Sequence, residues 1–300
     1  MHATANAATS VSRSKRPNSE PYSRHTKCGT LPPVTTSIAW LTDPHLDMVS
    51  AATTEALLRS IADQPAKALV LTGDIAEADS LLPTLEKFEQ ELPFPTYFVL
   101  GNHDYYGSSV AKTRTEVSTW SAKTRQTTWL PSAGIISLSA STALVGHGGW
   151  GDGGYGDFAA SPIVLNDYRR IHELTGKSKE HLLKVLQALG NEAGVYLGEQ
   201  VEHAWRSHEH VIVATHVPPF VEACWHEGEA TLNEWTPHFS CEGVGRRLSS
   251  LARNYPTRSM TVLCGHTHSA GESQILPNLA VLTGSAKYGA PAMQPLVTFV

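Results

Sequence analysis

Apolar and polar residues alternate in blocks along the chain, and the blocks change period. Residues 37–42 form a short apolar run, 54–62 space Leu57, Leu58 and Ile61 along one face of a helix, and 68–72 are apolar again. A second helical face follows at Leu81, Leu85, Phe88 and Leu92, and 96–100 supply a third strand, so this stretch predicts β-α-β-α-β. Further strands are predicted at 135–138, 142–145, 211–215, 260–264, 273–276, 280–283 and 296–300. The longest helix is predicted at 179–205, with Leu182, Val185, Leu186 and Leu189 as its apolar stripe. Strands alternating with helices make the fold class α/β.

Residues 1–33 break this pattern. They are rich in Ser, Thr, Asn and Ala, and carry Arg13, Lys15, Arg16, Arg24 and Lys27 against the single acid Glu20. Too little apolar surface is present to offset the entropy of ordering, so a disordered tail is expected. An Arg- and Ser-rich, acid-poor transit peptide is the alternative. One folded domain is expected over 34–300. With 41% hydrophobic residues it can bury a substantial core, while 17% charged residues and a net charge of -5 leave no basic field for nucleic acid or an anionic membrane. No apolar run approaches the ~18 residues needed to span a bilayer. Cys28, Cys224, Cys241 and Cys264 show no C-x-x-C spacing, which argues against a disulfide framework or zinc ribbon and fits a reducing cytoplasm.

The chemistry gathers where predicted strands end. The first three strands run into Asp43-Pro44-His45, Gly73-Asp74 and Gly101-Asn102-His103-Asp104, and two later ones into His216 and Gly265-His266-Thr267-His268. A lone histidine at a strand end is usually structural, and Gly-Asp alone is usually a turn. Five of the fifteen histidines, however, fall within these short motifs, which argues against coincidence. In parallel α/β folds that edge is where sites assemble. Asp43, His45, Asp74, Asn102, His216, His266 and His268 offer carboxylate, amide oxygen and imidazole, a mixture suited to Mn, Fe, Zn, Ni or Co. Seven ligands exceed what one ion needs, so a pair of divalent or mixed-valence transition metal ions sharing a carboxylate is expected.

The string D-x-H, G-D, G-N-H-D, H and G-H-x-H, met in order from Asp43 to His268, resembles the calcineurin-like metallophosphoesterase superfamily. The resemblance implies a four-layer αββα sandwich, with two mixed β-sheets flanked by helices. It implies that Asp43, His45 and His268 hold one metal, that Asn102, His216 and His266 hold the other, and that Asp74 bridges. The implied activity is hydrolysis of a small phosphomonoester or phosphodiester by in-line attack of a hydroxide held between the metals. His103, left without a metal, is then the expected general acid; Asp104 either raises its pKa or simply caps the turn. The protein Ser/Thr phosphatase branch needs G-D-x-x-D-R-G where this chain reads Gly73-Asp74-Ile75-Ala76-Glu77-Ala78, and the purple acid phosphatase branch needs a tyrosine where Glu77 stands. Thr215-His216-Val217-Pro218-Pro219-Phe220 looks more like bacterial branches that include cyclic-nucleotide phosphodiesterases. Such a phosphodiesterase is the alternative within the class, and a non-catalytic metal-binding scaffold the alternative outside it.

Two segments are candidates for a substrate pocket. Residues 146–157 hold seven glycines around Trp150 and Tyr155, and read either as a pocket wall or as a flexible surface loop. Residues 217–242, directly after His216, hold Cys224, Trp225, His226, Trp235, His238, Phe239 and Cys241, with five glutamates and no Lys or Arg. That balance favours a small substrate over nucleic acid. Trp150, Trp225 and His226 are the expected pocket residues, and the cysteines are expected to be buried hydrophobes.

Overall fold

Successive residues of a strand point to opposite faces, and in strand β1 (Thr36–Leu41) both faces are apolar: Ile38 and Trp40 pack on one side, Ala39 and Leu41 on the other. Such a strand must lie between two layers. The structure, a computed structural model, describes residues 36–226, 228–230 and 234–300, and the expected tail over 1–33 lies outside the described residues. After β1 come β2 (Leu69–Thr72), β3 (Thr96–Val99) and β4 (Thr127–Trp129), then β5 (Ile136–Ser137), β6 (Thr142–Gly146) and β7 (His210–Ala214). A two-stranded ribbon, β8 (Trp225–His226) and β9 (Glu229–Ala230), precedes β10 (Ser259–Cys264), β11 (Gly271–Leu276), β12 (Leu279–Thr283) and β13 (Val297–Phe299).

These strands form two mixed sheets. One has the order β13-β1-β2-β3-β4, parallel except for β13; the other has the order β11-β12-β10-β7-β6-β5, with β12, β10, β7 and β6 parallel. Ile38, Trp40, Val70 and Val99 from the first sheet meet Leu144, Ile212, Ala214 and Leu263 from the second in a shared core. Helices Ala51–Ala62, Ala78–Glu91 and Val110–Ser121 cover the far face of the first sheet through Leu58, Ile61, Leu85, Phe88 and Val117. Helices Lys179–Ala204 and Glu242–Asn254 cover the far face of the second through Leu197, Val201, Val244 and Leu248. Each fully buried aliphatic side chain contributes about 1.5–3 kcal/mol, so the three apolar interfaces hold the four layers together. The expected αββα sandwich is therefore the observed one.

Several observed elements are absent from those predicted above, among them two helices and a strand. Helix Val110–Ser121 buries only Val110, Thr113 and Val117. Strand β4 has three residues, and helix Glu242–Asn254 opens on Gly243 and Gly245, poor helix formers on their own. Those glycines serve packing: a Cβ on Gly243 would stand 2.9 Å from the Gly190 carbonyl oxygen, where bare backbone lets the two long helices touch, and one on Gly245 2.0 Å from that of Pro219. The first part of the glycine-rich stretch is no surface loop, whereas 153–157 reach the surface. Residues 146–152 are buried; a Cβ on Gly148 would lie 2.0 Å from the Leu100 carbonyl oxygen, and one on Gly151 1.9 Å from that of His238. Asp152 accepts from the amides of Glu242 and Gly243 and so caps the helix that begins there. Among the described residues no helix is long and apolar enough to cross a membrane. Cys224, Cys241 and Cys264 are buried free thiols.

His147 gives this packing a pH signature. Burial, with a smaller push from Arg114, holds its pKa down to about 3, and its Nδ1 accepts from the Gly149 amide at 3.2 Å. The unfolded chain takes up a proton near pH 6.5 and the folded one does not. This residue therefore costs no stability above about 6.5, and an increasing amount as pH falls from there towards about 3, at up to about 1.4 kcal/mol per pH unit. In denaturant unfolding between neutral and mildly acid pH, His147→Asn should flatten the fall in stability; an unchanged slope would contradict the assignment.

Candidate metal centre

Both sheets present the C-terminal ends of their parallel strands at one place, and five strands pass there directly into ligand-type residues. Asp43 and His45 follow β1, Asp74 follows β2, Asn102 and His103 follow β3, His216 follows β7, and His266 and His268 follow β10. Turning a side chain back over the edge needs unusual backbone: Asp43, His45, Asp74, His266 and His268 all have positive φ, between 42° and 69°. These are the described non-glycine residues with that conformation, which costs each about 1 kcal/mol or more. Backbone bonds hold them there, from Asp43 N to Gly73 O, His45 N to Asp74 O and Gly265 N to His216 O. Glycines admit the close approach: a Cβ on Gly101 would fall 2.2 Å from Asp74 Oδ1, and one on Gly265 2.0 Å from Asp43 Oδ2.

Two groups of donors result, and Asp74 belongs to both. Asp43, His45, Asp74 and His268 form one, and Asp74, His216 and His266 the other, with all donor atoms of a group within 4.8 Å of one another. Asn102 Oδ1 lies 3.0 Å from His216 Nε2, beside the second group. Protons are directed away from the centre. His216 Nδ1 donates to the Thr72 carbonyl at 2.9 Å, and His266 Nε2 faces the His238 carbonyl at 3.4 Å. These bonds leave His216 Nε2 and His266 Nδ1 as bare lone pairs 3.1 Å apart. His45 Nε2 and His268 Nε2 lie 3.4 Å apart, and His268 Nε2 is also 3.3 Å from Asp43 Oδ1.

Charge tells the same story. Burial, then the neighbouring His103, holds the His45 pKa down to about 3; burial lowers His216, and burial with His216 lowers His266 well below the ordinary histidine range. Burial and the nearby carboxylates of Asp43 and Asp104 push Asp74 upward. Neutral imidazoles around two buried carboxylates lack a positive partner, and lone pairs aimed at one another repel unless a cation stands between them. The donor set thus fits divalent metal ions.

His103 stands beside this set rather than within it. Its Nε2 is 4.0 Å from Asp74 Oδ2, its amide donates to Asp74 Oδ1, and its ring stacks on Tyr106 at 4.3 Å. Asp104 turns the other way, accepting from the amides of Ile75, Ala76 and Gly101, so it caps the turn and does not pair with His103. A cavity of about 460 Å³ opens onto Asp74, Asn102, His103, His266 and His268. Of the three expected pocket residues, only His226 lines it. Trp225 and His226 are successive on β8 and face opposite ways, which lays the Trp225 ring on Gly271 with Nε1 donating to Ser273. Trp150 is carried inward by the buried glycine segment and packs on Tyr105 at 5.5 Å. His238 is also buried, bonded to Tyr168 and Ser161.

The sequence pattern misses Tyr288 and Asp167. Tyr288 lies over His45 and His268, with ring centroids 4.6 and 4.9 Å away. Asp167, buried at the start of the short helix Asp167–Arg170, accepts from Asn102 Nδ2 at 2.9 Å and from the Tyr106 hydroxyl at 2.6 Å. By holding the amide nitrogen it turns Asn102 Oδ1 towards the second group. No spacing signal marks either residue; Asp167 opens a one-turn helix and Tyr288 sits in a turn, both away from the motifs.

The family model for calcineurin-like phosphoesterase matches residues 36–270, and the chain belongs to that family. Among solved structures, phosphopantetheinyl hydrolase from Mycobacterium tuberculosis is similar at 10% identity, with a TM-score of 0.59 over 87% of this chain and 96% of its own. A dimetal phosphatase from Danio rerio is similar at 15% identity, with a TM-score of 0.51 over 83% of this chain and 87% of its own. At those identities the likeness shows the fold. No curated protein matches the sequence.

Asp167→Ala should weaken metal binding by the His216 and His266 group about 10- to 100-fold and spare the group around His268. Metal titration by calorimetry checks this; equal weakening of both groups would make Asp167 a general support of the fold.

Proposed function

We propose that residues 34–300 are a metal-dependent phosphoesterase domain that hydrolyses a small phosphomonoester or phosphodiester at a two-ion centre. The observation that carries the reading is the pair of donor groups sharing Asp74 at the floor of the cavity. Asp43, His45 and His268 would hold one ion, Asn102, His216 and His266 the other, and Asp74 would serve both. Bound there, metal ions supply positive charge for the phosphoryl oxygens and lower the pKa of water, providing a nucleophile at neutral pH.

The chain's own residues carry the remaining tasks. Asp74 is aligned by the His103 amide, and His216 and His266 keep their bare nitrogens on the centre because backbone carbonyls face their other nitrogens. His103 faces the cavity and is the general acid for the leaving oxygen. Burial, with a smaller push from His216, holds its pKa down to about 4, and a phosphoester's negative charge acts against that shift. Tyr106, stacked on the ring and bonded to Asp167, limits its movement.

Stripping metal with chelator and restoring Mn, Fe, Zn, Ni or Co singly should recover hydrolysis of chromogenic mono- or diesters; inactivity with every metal would refute the reading. His103→Ala should retain metal while slowing turnover about 10²- to 10⁴-fold for alkyl esters. The loss should be smaller for p-nitrophenyl esters, whose leaving group departs without a proton. Loss of metal from His103→Ala would instead make His103 part of the metal site.

A further inference from the structure

The walls of the cavity differ from its floor. Above the polar centre it is lined by aromatic rings from separate parts of the chain: Tyr106, Trp235, Phe239 and Tyr288. Phe239 meets the ligand-type His266 edge to face at 4.7 Å, and Trp235 stacks on Phe239 with ring centroids 5.4 Å apart and planes within 9°. An unbroken aromatic series therefore runs outward from the donor set. Trp235 is 41% exposed and Tyr288 51%, a large apolar area to leave at the mouth of a cavity unless a ligand covers it.

Charge narrows the ligand further. No Lys or Arg is among the described residues lining the cavity. Arg170, stacked over Tyr106 at 4.7 Å, is held by both carboxylate oxygens of Glu77. A substrate with a second phosphate beyond the reacting one would find no cationic clamp there. Flat rings, in contrast, suit a flat apolar partner, since stacking on aromatic side chains needs only a π-face and little side-chain ordering. The volume falls within the range of small-molecule sites.

We propose that the substrate is a phosphoester with one phosphate and a planar aromatic leaving group, which stacks against Trp235 and Phe239 while the phosphate meets the donor set. This rests on the phosphoesterase reading above. An arene and a nucleobase share the required chemistry, and two substrate pairs separate them: naphthylmethyl phosphate against cyclohexylmethyl phosphate, and adenosine monophosphate against ribose phosphate. Within each pair the leaving oxygens are alike and the ring differs.

With the full chain loaded with metal, the aromatic member of at least one pair should have a kcat/KM about 10- to 100-fold higher. The pair that shows the preference identifies the source of the ring. Trp235→Ala and Trp235→Leu should bring the ratio towards one with metal content retained, and Trp235→Phe should keep most of it. Calorimetric binding of non-hydrolysable naphthylmethylphosphonate, relative to its cyclohexyl analogue, should show the same preference and the same loss. Equal kcat/KM within both pairs, or phosphonate binding indifferent to the ring, would overturn the proposal and leave the phosphoesterase reading standing. If no ester is hydrolysed with any metal, that reading fails, and the phosphonate comparison still decides whether the cleft selects a ring.

Discussion

The structure depends on lone pairs that face one another with no proton between them. His216 Nε2 and His266 Nδ1, whose far nitrogens face backbone carbonyls, converge with His45 and His268 beside the buried carboxylates of Asp43 and Asp74. Such an arrangement is unfavourable without a cation, so the fold must hold it in place by force of geometry. It does so by joining two parallel strand bundles at one edge and bending five ligand-type residues into left-handed backbone. The strain is tolerated because the two sheets share a dry core directly behind the site and cannot slide apart without exposing it.

This arrangement explains which parts of the molecule were legible in the sequence. The strands of the first half run apolar because both faces are buried, and their ends carry the chemistry because that edge is where the sheets meet. Asp43, His45, Asp74, Asn102, His216, His266 and His268 could thus be singled out from residue type at strand ends. Helix Glu242–Asn254 was not, although Val244, Leu248 and Leu251 lie at helical spacing, because its opening glycines serve close contact, Gly243 with Gly190 of the earlier helix and Gly245 with Pro219, rather than helix propensity. The glycine-rich segment divides in two: Gly148 and Gly151 accommodate neighbouring backbone within the buried residues 146–152, and 153–157 reach the surface.

Pocket residues were less legible than donors, and the cause is physical. A donor is fixed by the strand before it, whereas a wall residue depends on how irregular chain folds over the edge. Trp225 and His226 differ by one position, and strand alternation sends one to the sheet and the other to the cavity. Asp167 and Tyr288 reach the centre only through tertiary packing, with no local pattern to announce them. Class of chemistry is therefore readable where substrate identity is not.

His103 and Asp104 show the same division within a single turn. Adjacent in sequence and both polar, they sit in a short 3-10 segment that points them apart. Asp104 goes inward, where three backbone amides satisfy its carboxylate and burial pushes its pKa up to about 7. Those bonds tie the turn after β3 to the turn after β2, and that tie brings the His103 amide to Asp74 Oδ1 and its imidazole to the cavity. A buried carboxylate with no contact to any reacting atom thus sets the distance between the shared carboxylate and the histidine above it. The motif is read as chemistry, yet half of it is scaffolding, and the chemistry depends on that half.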